Sequence, residues 1–241
     1  MRRNIGSSIR ALAIALAAMS TLSSLAEAGT LQVSPINIEV AGGGNTAVQN
    51  LENKGTSVIN AQVRVFKWIN ENGKDKLVPT KDVVASPPAL KIKPGAKATV
   101  RIVRLLKTPV VGEETYRLII DDLPPPPDGN GGTVSFAVRH AIPVFFQAAG
   151  IRSDVSWTAA MNGPALVLTA SNSGQLHSRI TQVQLSKGGT AVGSIDGLAG
   201  YALAGDSISW KMKIKGVAPG TTLALKAVTN DGNVATTITV R

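Results

Sequence analysis

The sequence contains no cysteine, two histidines and few aromatic residues, which make up 4% of its 241 residues. Without cysteine, the chain has no disulfide, no thiol nucleophile and no thiolate ligand for zinc. With two histidines as well, we expect neither a metal site nor a cofactor. A glycan-binding site usually stacks sugars on aromatic faces, which this composition hardly provides. The fold must therefore be held by apolar cores alone.

The residues that could support catalysis do not form a recognised motif. His140 and His177 stand outside patterns such as H-E-x-x-H. The segment 193-GSIDG-197 has the letters of a serine hydrolase motif in the wrong order for G-x-S-x-G, and it is more typical of a turn. Asp121 and Asp122 are adjacent in a predicted strand, so their carboxylates point to opposite faces. We predict that the protein is not an enzyme.

The chain is basic, with 25 Lys and Arg against 15 Asp and Glu and a net charge of +10. The basic residues are scattered rather than gathered in one block, and no aromatic RNA-binding motif accompanies them. We therefore expect no nucleic acid partner, and we interpret the charge as a basic surface that keeps the protein soluble.

The first 28 residues have the three parts of a secretory signal peptide. Three arginines form a basic start, the apolar run 11-ALAIALAAMSTLSSLA-26 follows, and Ala26-Glu27-Ala28 ends it as a small-x-small site. We predict cleavage between Ala28 and Gly29, which would lower the net charge from +10 to +8 by removing three arginines and one glutamate. An anchoring helix is the alternative, but the run is short and rich in Ser and Ala. No later segment is long and apolar enough to span a membrane.

The remaining chain predicts an all-β fold. Val, Ile and Thr are common, and turn signals recur about every ten residues. Asn72-Gly73 between two apolar runs predicts a hairpin, and Lys93-Pro94-Gly95-Ala96 predicts a tight turn. The predicted strands are 31–40, 47–52, 58–69, 98–106, 115–123 and the segment from 134 in the first half, and 165–172, 180–187, 207–214, 222–228 and 234–241 in the second.

The pattern changes at 147-QAAGIRSD-154, where apolar strands give way to small residues and a glycine. We interpret this segment as a joint between an N-terminal domain, 29–148, and a C-terminal domain, 151–241. Roughly seven short strands in each half fit two immunoglobulin-like β-sandwich domains. The two halves show no obvious sequence repeat.

The stretch 134-VSFAVRHAIPVFF-146 has large apolar residues at nearly every second position. This period of two is typical of a strand with one apolar face. Pro143 lies inside the stretch, and a proline within a strand favours an edge position or a bend. Soluble proteins usually avoid long apolar edge strands, because such strands pair with other chains. The stretch is therefore a candidate binding strand, although its apolar face could equally pack within the chain's own core.

Several segments resemble the periplasmic chaperones of the chaperone–usher pathway, which assemble pili from secreted subunits. The matching features are the signal peptide, 33-VSP-35, the pattern P-P-x-x-x-I-x-P-G-x-x-x-x-V-R from Pro87 to Arg101, Tyr116-Arg117-Leu118 before Leu123-Pro124, the alternating strand, and the segments 171–185 and 200–212. The resemblance covers the predicted mature chain and points to the archaic branch, whose clients resemble spore-coat-type pilins. It implies two immunoglobulin-like domains set at an angle, in an L shape, and a periplasmic location.

Chaperones of this kind lend a strand to pilus subunits whose own immunoglobulin-like fold lacks its final strand. The resemblance implies that Val134, Phe136 and Val138 point into the client, with Ile142 as a fourth contact. It also implies a second partner, the outer-membrane usher to which the chaperone delivers its subunits.

The resemblance further implies a basic site that holds the client's C-terminal carboxylate. Better-known relatives use an arginine on the first strand and a lysine on the lent strand, but the matching positions here fall at about Asn37 and Pro143. The positive charge must therefore come from elsewhere, because a buried carboxylate needs a paired charge or strong donors. The candidates are Arg117 and Arg152, with Arg139 as a third, although strand alternation turns Arg139 away from the client groove.

Two other hypotheses come from different classes of protein. The first is a secreted adhesive or carbohydrate-binding β-sandwich protein, or a pilin itself. A pilin should consist of a single domain, and we expect Trp68, Trp157 and Trp210 to be core residues rather than a sugar platform. The second is a hydrolase on a β scaffold, which no nucleophile–base pair in the sequence supports.

Overall fold

The computed structural model describes residues 31–71, 74–123 and 137–241. The predicted signal peptide and the predicted client contacts Val134 and Phe136 lie outside the described residues. Every regular element within the described ranges is a β-strand, so the predicted all-β class is confirmed. In the same ranges we find no helix with the length and apolar character needed to cross a membrane.

Ten strands build the first sandwich as two sheets. One sheet contains, from edge to edge, β1 (Leu31–Ser34), β3 (Thr46–Asn53), β8 (Lys97–Arg104) and β6 (Val83–Ser86). The other contains β2 (Ile38–Val40), β10 (Val138–Gln147), β9 (Glu113–Leu123), β4 (Ile59–Glu71) and β5 (Lys74–Pro79), and β7 (Ala89–Ile92) also pairs with β4.

Strand alternation fills the core between these two sheets. In β8, Val100 and Ile102 are fully buried, whereas Thr99 and Arg101 beside them are exposed. Burying an aliphatic side chain of this size stabilises the fold by about 1.5–3 kcal/mol. Because the same period of two runs through the neighbouring strands, the first sandwich has one continuous apolar core.

The connections use the turn chemistry predicted from the sequence. The Ala96 N–H donates to the Lys93 carbonyl oxygen and closes a turn around Pro94-Gly95. Gly95 has a φ of +70°, which glycine adopts without steric cost at this place in a turn. Strands β4 and β5 pair antiparallel on either side of residues 72–73, so the predicted hairpin is confirmed, although those two residues themselves are not described.

Seven strands build the second sandwich around a separate core. Its three-stranded sheet contains, in order, β11 (Val155–Asn162), β12 (Ala165–Asn172) and β15 (Ser207–Lys213). Its four-stranded sheet contains β14 (Thr190–Ala202), β13 (Ser178–Lys187), β16 (Thr222–Thr229) and β17 (Gly232–Thr239). The predicted pair of sandwiches is confirmed, and the domain limits at residues 148 and 151 stay a prediction.

The same asparagine corner occurs once in each sandwich, at the end of β3 and at the end of β12. In both corners the side-chain amide donates to the carbonyl oxygen four residues later and accepts the N–H two residues later. The residues are Asn53, Gly55 and Ser57 in the first sandwich and Asn172, Gly174 and Leu176 in the second. The two halves therefore repeat a local structure that a comparison of their sequences does not reveal.

A third, small cluster lies where the two sandwiches meet. It consists of Trp68 from β4, Phe145 from β10 and the buried Leu203, with Tyr201 from β14 packed against them. The side chains come from both sandwiches, so this cluster fixes the residues around the candidate site described next.

Candidate functional site

Strand β10 is paired along one side and only half paired along the other. It pairs antiparallel with β9 over its whole length, from Val138 opposite Asp122 to Gln147 opposite Glu113. On its other side it pairs with β2 only at residues 144–146. Within the described part of the chain, residues 138–143 therefore present a free sheet edge, which can accept a strand from another protein.

The side chains of β10 divide between two faces of the sheet. Ile142, Val144 and Phe146 are 3%, 0% and 0% exposed and belong to the first core. Val138 shares their parity and is half-buried at the free end of the strand. Ile142 thus packs inside the chain's own sandwich and has no surface left for a second protein, whereas Val138 keeps part of its surface open.

On the opposite face of β10, Arg139 is held by a buried carboxylate. Its Nε lies 2.6 Å from Asp121 Oδ1, and Arg64 Nη2 lies 2.5 Å from Asp121 Oδ2. Burial opposes the ionisation of Asp121, but the hydrogen bonds from the two arginines outweigh it and lower the pKa of this carboxyl. Arg139 is therefore engaged by Asp121 and does not line the cleft described below, although Ala141 and Pro143 of the same face do.

A cleft of about 500 Å³ lies beside the same strand and takes residues from both sandwiches. Its charged residues are Arg117 from β9, Arg179 from β13 and Asp75 from β5. The rest of its lining is mostly apolar and includes Ile36, Asn37, Ala141, Pro143, Thr181, Leu198, Ala199, Gly200, Tyr201 and Ile208. Two cations against one carboxylate give the cleft a positive charge.

Arg117 reaches this cleft because of the alternation in β9. Tyr116 and Leu118 on either side of it are 1% and 0% exposed in the first core, so Arg117 points to the opposite face of the sheet. Its guanidinium carbon lies 3.6 Å from the centroid of the Trp68 ring and 5.6 Å from that of Tyr201. These two aromatic faces hold the cation by cation–π attraction.

Among the residues that the structure describes, the guanidinium of Arg117 has no strong anionic partner. Its side chain is 15% exposed, and its Nη2 lies 3.9 Å from Oδ2 of Asp75, a residue whose side chain is 62% exposed. Burial lowers the pKa of Arg117, while Asp75 and then Tyr201 oppose this effect. Arginine still remains charged, because its pKa starts so far above neutrality. The site can therefore receive a carboxylate.

The structure separates the three arginines that the sequence proposes as carboxylate anchors. Arg117 lines the cleft together with Asn37 and Pro143, the two positions at which the family pattern has basic residues. Arg152 is exposed, its backbone carbonyl accepts two N–H groups of the second sandwich, and its side chain is not part of the cleft lining. Arg139 lies on the same outer face as Arg117, but it is bound to Asp121 and does not line the cleft.

Sequence reasoning missed Arg179, the second cation of the cleft. It lies in 171–185, a segment that already carried the family resemblance. Its place in β13, next to the buried Ser178, is a signal for an outward side chain, but nothing in the sequence indicates that β13 passes beside β9. Only the packing of one sandwich against the other brings Arg117 and Arg179 into one cleft.

The two histidines have structural surroundings. The His177 ring stacks on Phe145 with centroids 3.7 Å apart, and its Nδ1 lies 2.7 Å from Glu113 Oε2. Glu113 also accepts the His177 backbone N–H and the side-chain amide of Gln147, so this carboxylate ties β9 to the start of β13. His140 is half-buried on β10. Neither histidine has a serine or threonine hydroxyl as a hydrogen-bond partner among the described residues.

The fold and the site together define a class of protein with two immunoglobulin-like sandwiches, whose first sandwich has a half-paired final strand beside a basic cleft. A family model described as the pili and flagellar-assembly chaperone, PapD N-terminal domain, matches residues 30–152, which is more than half of the chain. The protein belongs to this family, so the resemblance drawn from the sequence is confirmed. Pilus chaperones of this family are periplasmic.

Solved structures with the same fold include three that cover nearly the whole chain. One is a chaperone–tip adhesion subunit pre-assembly complex, CsuC–CsuE, from the archaic chaperone–usher Csu pili of Acinetobacter baumannii; the similarity is 24% identity over 88% of this chain and 100% of the matched chain, with a TM-score of 0.69. The YadV chaperone is 16% identical over 87% of this chain and 98% of the matched chain, with a TM-score of 0.61. A Salmonella enterica complex of the SafA pilin with the SafB chaperone is 14% identical over 88% of this chain and 96% of the matched chain, with a TM-score of 0.59. The comparison with curated proteins gives no match.

Proposed function

We propose that this protein is a non-enzymatic periplasmic chaperone that binds pilus subunits by donor-strand complementation. It keeps subunits with incomplete immunoglobulin-like folds from aggregating and delivers them to an outer-membrane usher. The observation that carries this proposal is the free edge of β10 at residues 138–143, on a strand whose inner half is buried in the first core.

A free edge of this kind can complete another sheet. Its unpaired backbone groups supply hydrogen bonds of general affinity, while alternate side chains fill pockets of the partner and give specificity. Val138 has the required position, and the sequence pattern predicts the same role for Val134 and Phe136, which lie outside the described residues. Each such side chain contributes about 1.5–3 kcal/mol when it becomes buried. Ile142 has no part in this proposal, because it already lies in the chain's own core.

The client's C-terminal carboxylate binds in the cleft. Arg117 offers a guanidinium that is stacked on Trp68 and lacks a close anionic partner, and Arg179 adds a second positive charge. Guanidinium groups bind carboxylates through charge-assisted hydrogen bonds, often two at once. Arg152 and Arg139 are left out, because neither lines the cleft.

We also propose that the protein belongs to the archaic branch of these chaperones and that a signal peptide, cleaved after Ala28, exports it. The similarity to a chaperone complex from archaic pili supports the branch, and a complex of a related fold with a pilin supports the type of client. The basic and apolar composition of residues 1–28 supports export.

The test is co-expression in a periplasmic host with each pilin-like subunit encoded beside the gene. We expect a one-to-one complex that survives purification, and we expect Phe136→Asp to abolish it, because a carboxylate would have to enter an apolar groove. Val111→Asp is the matched control, since Val111 is 85% exposed and lies in the loop between β8 and β9. Normal client binding by Phe136→Asp would show that the donor-strand assignment is wrong.

A further inference from the structure

The two most prominent apolar side chains of the cleft are open to solvent. Ile36, in the link between β1 and β2, is 76% exposed, and Leu198, on β14, is 58% exposed. Both line the cleft that contains Arg117 and Arg179, and each comes from a different sandwich. Single exposed aliphatic residues are common on protein surfaces. Two of them on the walls of one positively charged cleft form a surface that can contact both an apolar group and an anion.

We propose that this cleft also recognises the side chain of the client's last residue, and that it prefers a bulky apolar one with a free carboxylate. This inference rests on the proposed function and names the ligand of the same cleft more closely. The carboxylate pairs with the arginines, and the apolar side chain covers Ile36 and Leu198. The two contacts belong together in one residue only if that residue is the last of its chain.

Three features of the cleft fit such a ligand. Its charge is positive, with two arginines against Asp75, so a ligand with one negative charge is complementary. Pro143, Tyr201 and Ile208 extend the apolar surface beyond Ile36 and Leu198. The wall is also firmly packed at one point: Gly200 has a φ of +148°, and a Cβ on it would lie 2.4 Å from Ile208 Cδ1.

The cleft is large enough to hold one bulky side chain, which would displace water from it. Its volume is about 500 Å³, while a water molecule takes about 30 Å³ of liquid volume. Removal of water from this space strengthens the attraction between the ligand carboxylate and Arg117, because charges interact more strongly in a medium of lower dielectric constant. The apolar and the ionic contact therefore support each other.

The test uses three acetylated tripeptides and the purified mature protein, with binding measured by calorimetric or NMR titration. The probes are acetyl-Ala-Ala-Phe with a free carboxylate, the same peptide as its amide, and acetyl-Ala-Ala-Gly with a free carboxylate. We expect the Phe acid to bind about tenfold or more tightly than either of the other two, because each of these lacks one of the two contacts.

Variants separate the two contacts. Ile36→Ser and Leu198→Ser should reduce the preference for Phe over Gly and leave the preference for acid over amide intact. Arg117→Met should reduce the preference for acid over amide, and Arg179→Met in addition should remove it. Val111→Ser and Leu105→Ser are matched controls, since these side chains are 85% and 54% exposed and lie outside the cleft; both preferences should stay as in the unmodified protein.

The outcomes distinguish this inference from the proposed function. Equal binding of the Phe and Gly acids, or an unchanged preference in both serine variants, would overturn the recognition of the last side chain while leaving the carboxylate site in place. Failure of all three peptides to bind at about 10 mM, a concentration that detects even very weak sites, would overturn it as well. The proposed function is tested separately, by the full-length client and Phe136→Asp.

Discussion

Arg117 is held by aromatic faces more than by a partner charge. Its guanidinium stacks on Trp68 at 3.6 Å, and the nearest carboxylate, that of Asp75, is 3.9 Å away on an exposed side chain. Surface ion pairs of this length contribute little. A client carboxylate that enters the cleft can therefore replace Asp75 as the partner of Arg117 at small cost.

Replacement of Asp75 by asparagine should strengthen client binding. The change removes the one negative charge that lines the cleft and competes for Arg117. Two charges 4 Å apart interact by about 1 kcal/mol in water, so we expect up to about fivefold tighter binding at low salt. The gain should shrink as the ionic strength rises, because Asp75 is exposed and its field is screened.

Asp196→Asn provides the control for this prediction. Asp196 is also exposed, but it lies on the outer face of the second sandwich and does not line the cleft. It changes the net charge by the same amount, so equal effects of the two variants would point to long-range attraction instead of competition at Arg117. Weaker binding by Asp75→Asn would contradict the prediction directly.

The residues of the site were predictable in part. The Tyr116-Arg117-Leu118 motif identifies Arg117, because apolar neighbours in a strand imply an outward arginine. Arg179 could not be found in this way, since its role depends on how the two sandwiches pack. Arg152 seemed suitable from its place just past the joint, but the backbone there points its side chain to solvent.

At the scale of elements, β10 is one strand with two environments. Its inner half is covered on both sides, by β9 and β2, whereas its outer half has β9 alone. The ion pairs of Asp121 with Arg64 and Arg139 cross three strands at this outer half, because Arg64 lies on β4 and Asp121 on β9. They hold the half-paired end of β10 against the sheet and so keep it in register for a client.

Replacement of Asp121 by asparagine should loosen the outer half of β10. We expect the amides of residues 138–142 to exchange hydrogen about two- to fivefold faster, a modest factor because Arg139 is largely exposed and its ion pair is partly screened. The folded-state pKa of Asp121 is lowered, so its contribution is complete above the unfolded-state pKa of about 3.9 and is lost as the pH falls through the folded-state value. Protection factors at pH 7 and in acid, measured by mass spectrometry, provide the check.

Asp122→Asn is the control for this experiment. Asp122 is the next residue of β9, and its carboxylate forms no ion pair with any residue in the described ranges. Burial raises the pKa of Asp122, the opposite direction to Asp121. If both variants accelerate exchange equally, the cause is the general loss of negative charge in β9. The ion pairs of Asp121 with Arg64 and Arg139 would then not stabilise the outer half of β10.

The predicted strands were most accurate where apolar residues alternate. The prediction for 165–172 coincides with β12, and those for 47–52 and 222–228 fall within one residue of β3 and β16 at each end. The prediction of one strand at 31–40 was wrong, because the chain leaves one sheet after Ser34 and joins the other at Ile38. Pro35 between them has no N–H to continue the ladder. The strands β5, β6, β7, β11 and β14 were not predicted. Strands β6 and β7 have only four residues each, and exposed and small residues interrupt the apolar pattern of the other three.

At the scale of the whole molecule, one buried carboxylate links the two sandwiches. Glu113 of β9 accepts the backbone N–H and ring Nδ1 of His177 and the amide of Gln147, and its side chain is fully buried. The Phe145 ring stacks on His177 and connects this link to Trp68 and the cleft. The relative position of Arg117 and Arg179 therefore depends on Glu113, although Glu113 does not line the cleft.

Glu113→Ala should lower the thermal stability of the protein. The change leaves buried donors without an acceptor, which costs about 1–3 kcal/mol. For a chain of this size we expect the Tm to fall by roughly 2–12 °C, measured by calorimetry. Glu71→Ala is the control, because Glu71 is exposed and its ion pair with Lys76 should contribute little. An unchanged Tm in Glu113→Ala would show that this link is dispensable.

The burial of the inner half of β10 has a mechanical consequence. Val144, Phe145 and Phe146 are each 0% exposed and anchor the strand in two apolar clusters, whereas residues 138–141 have one neighbouring strand. If a captured subunit is pulled away, we expect separation to begin at the outer end of β10, where the strand has the fewest contacts with its own domain. The hydrogen-bonded pairs between β10 and the client should then break one after another from that end, while residues 144–146 stay in the core of the chaperone.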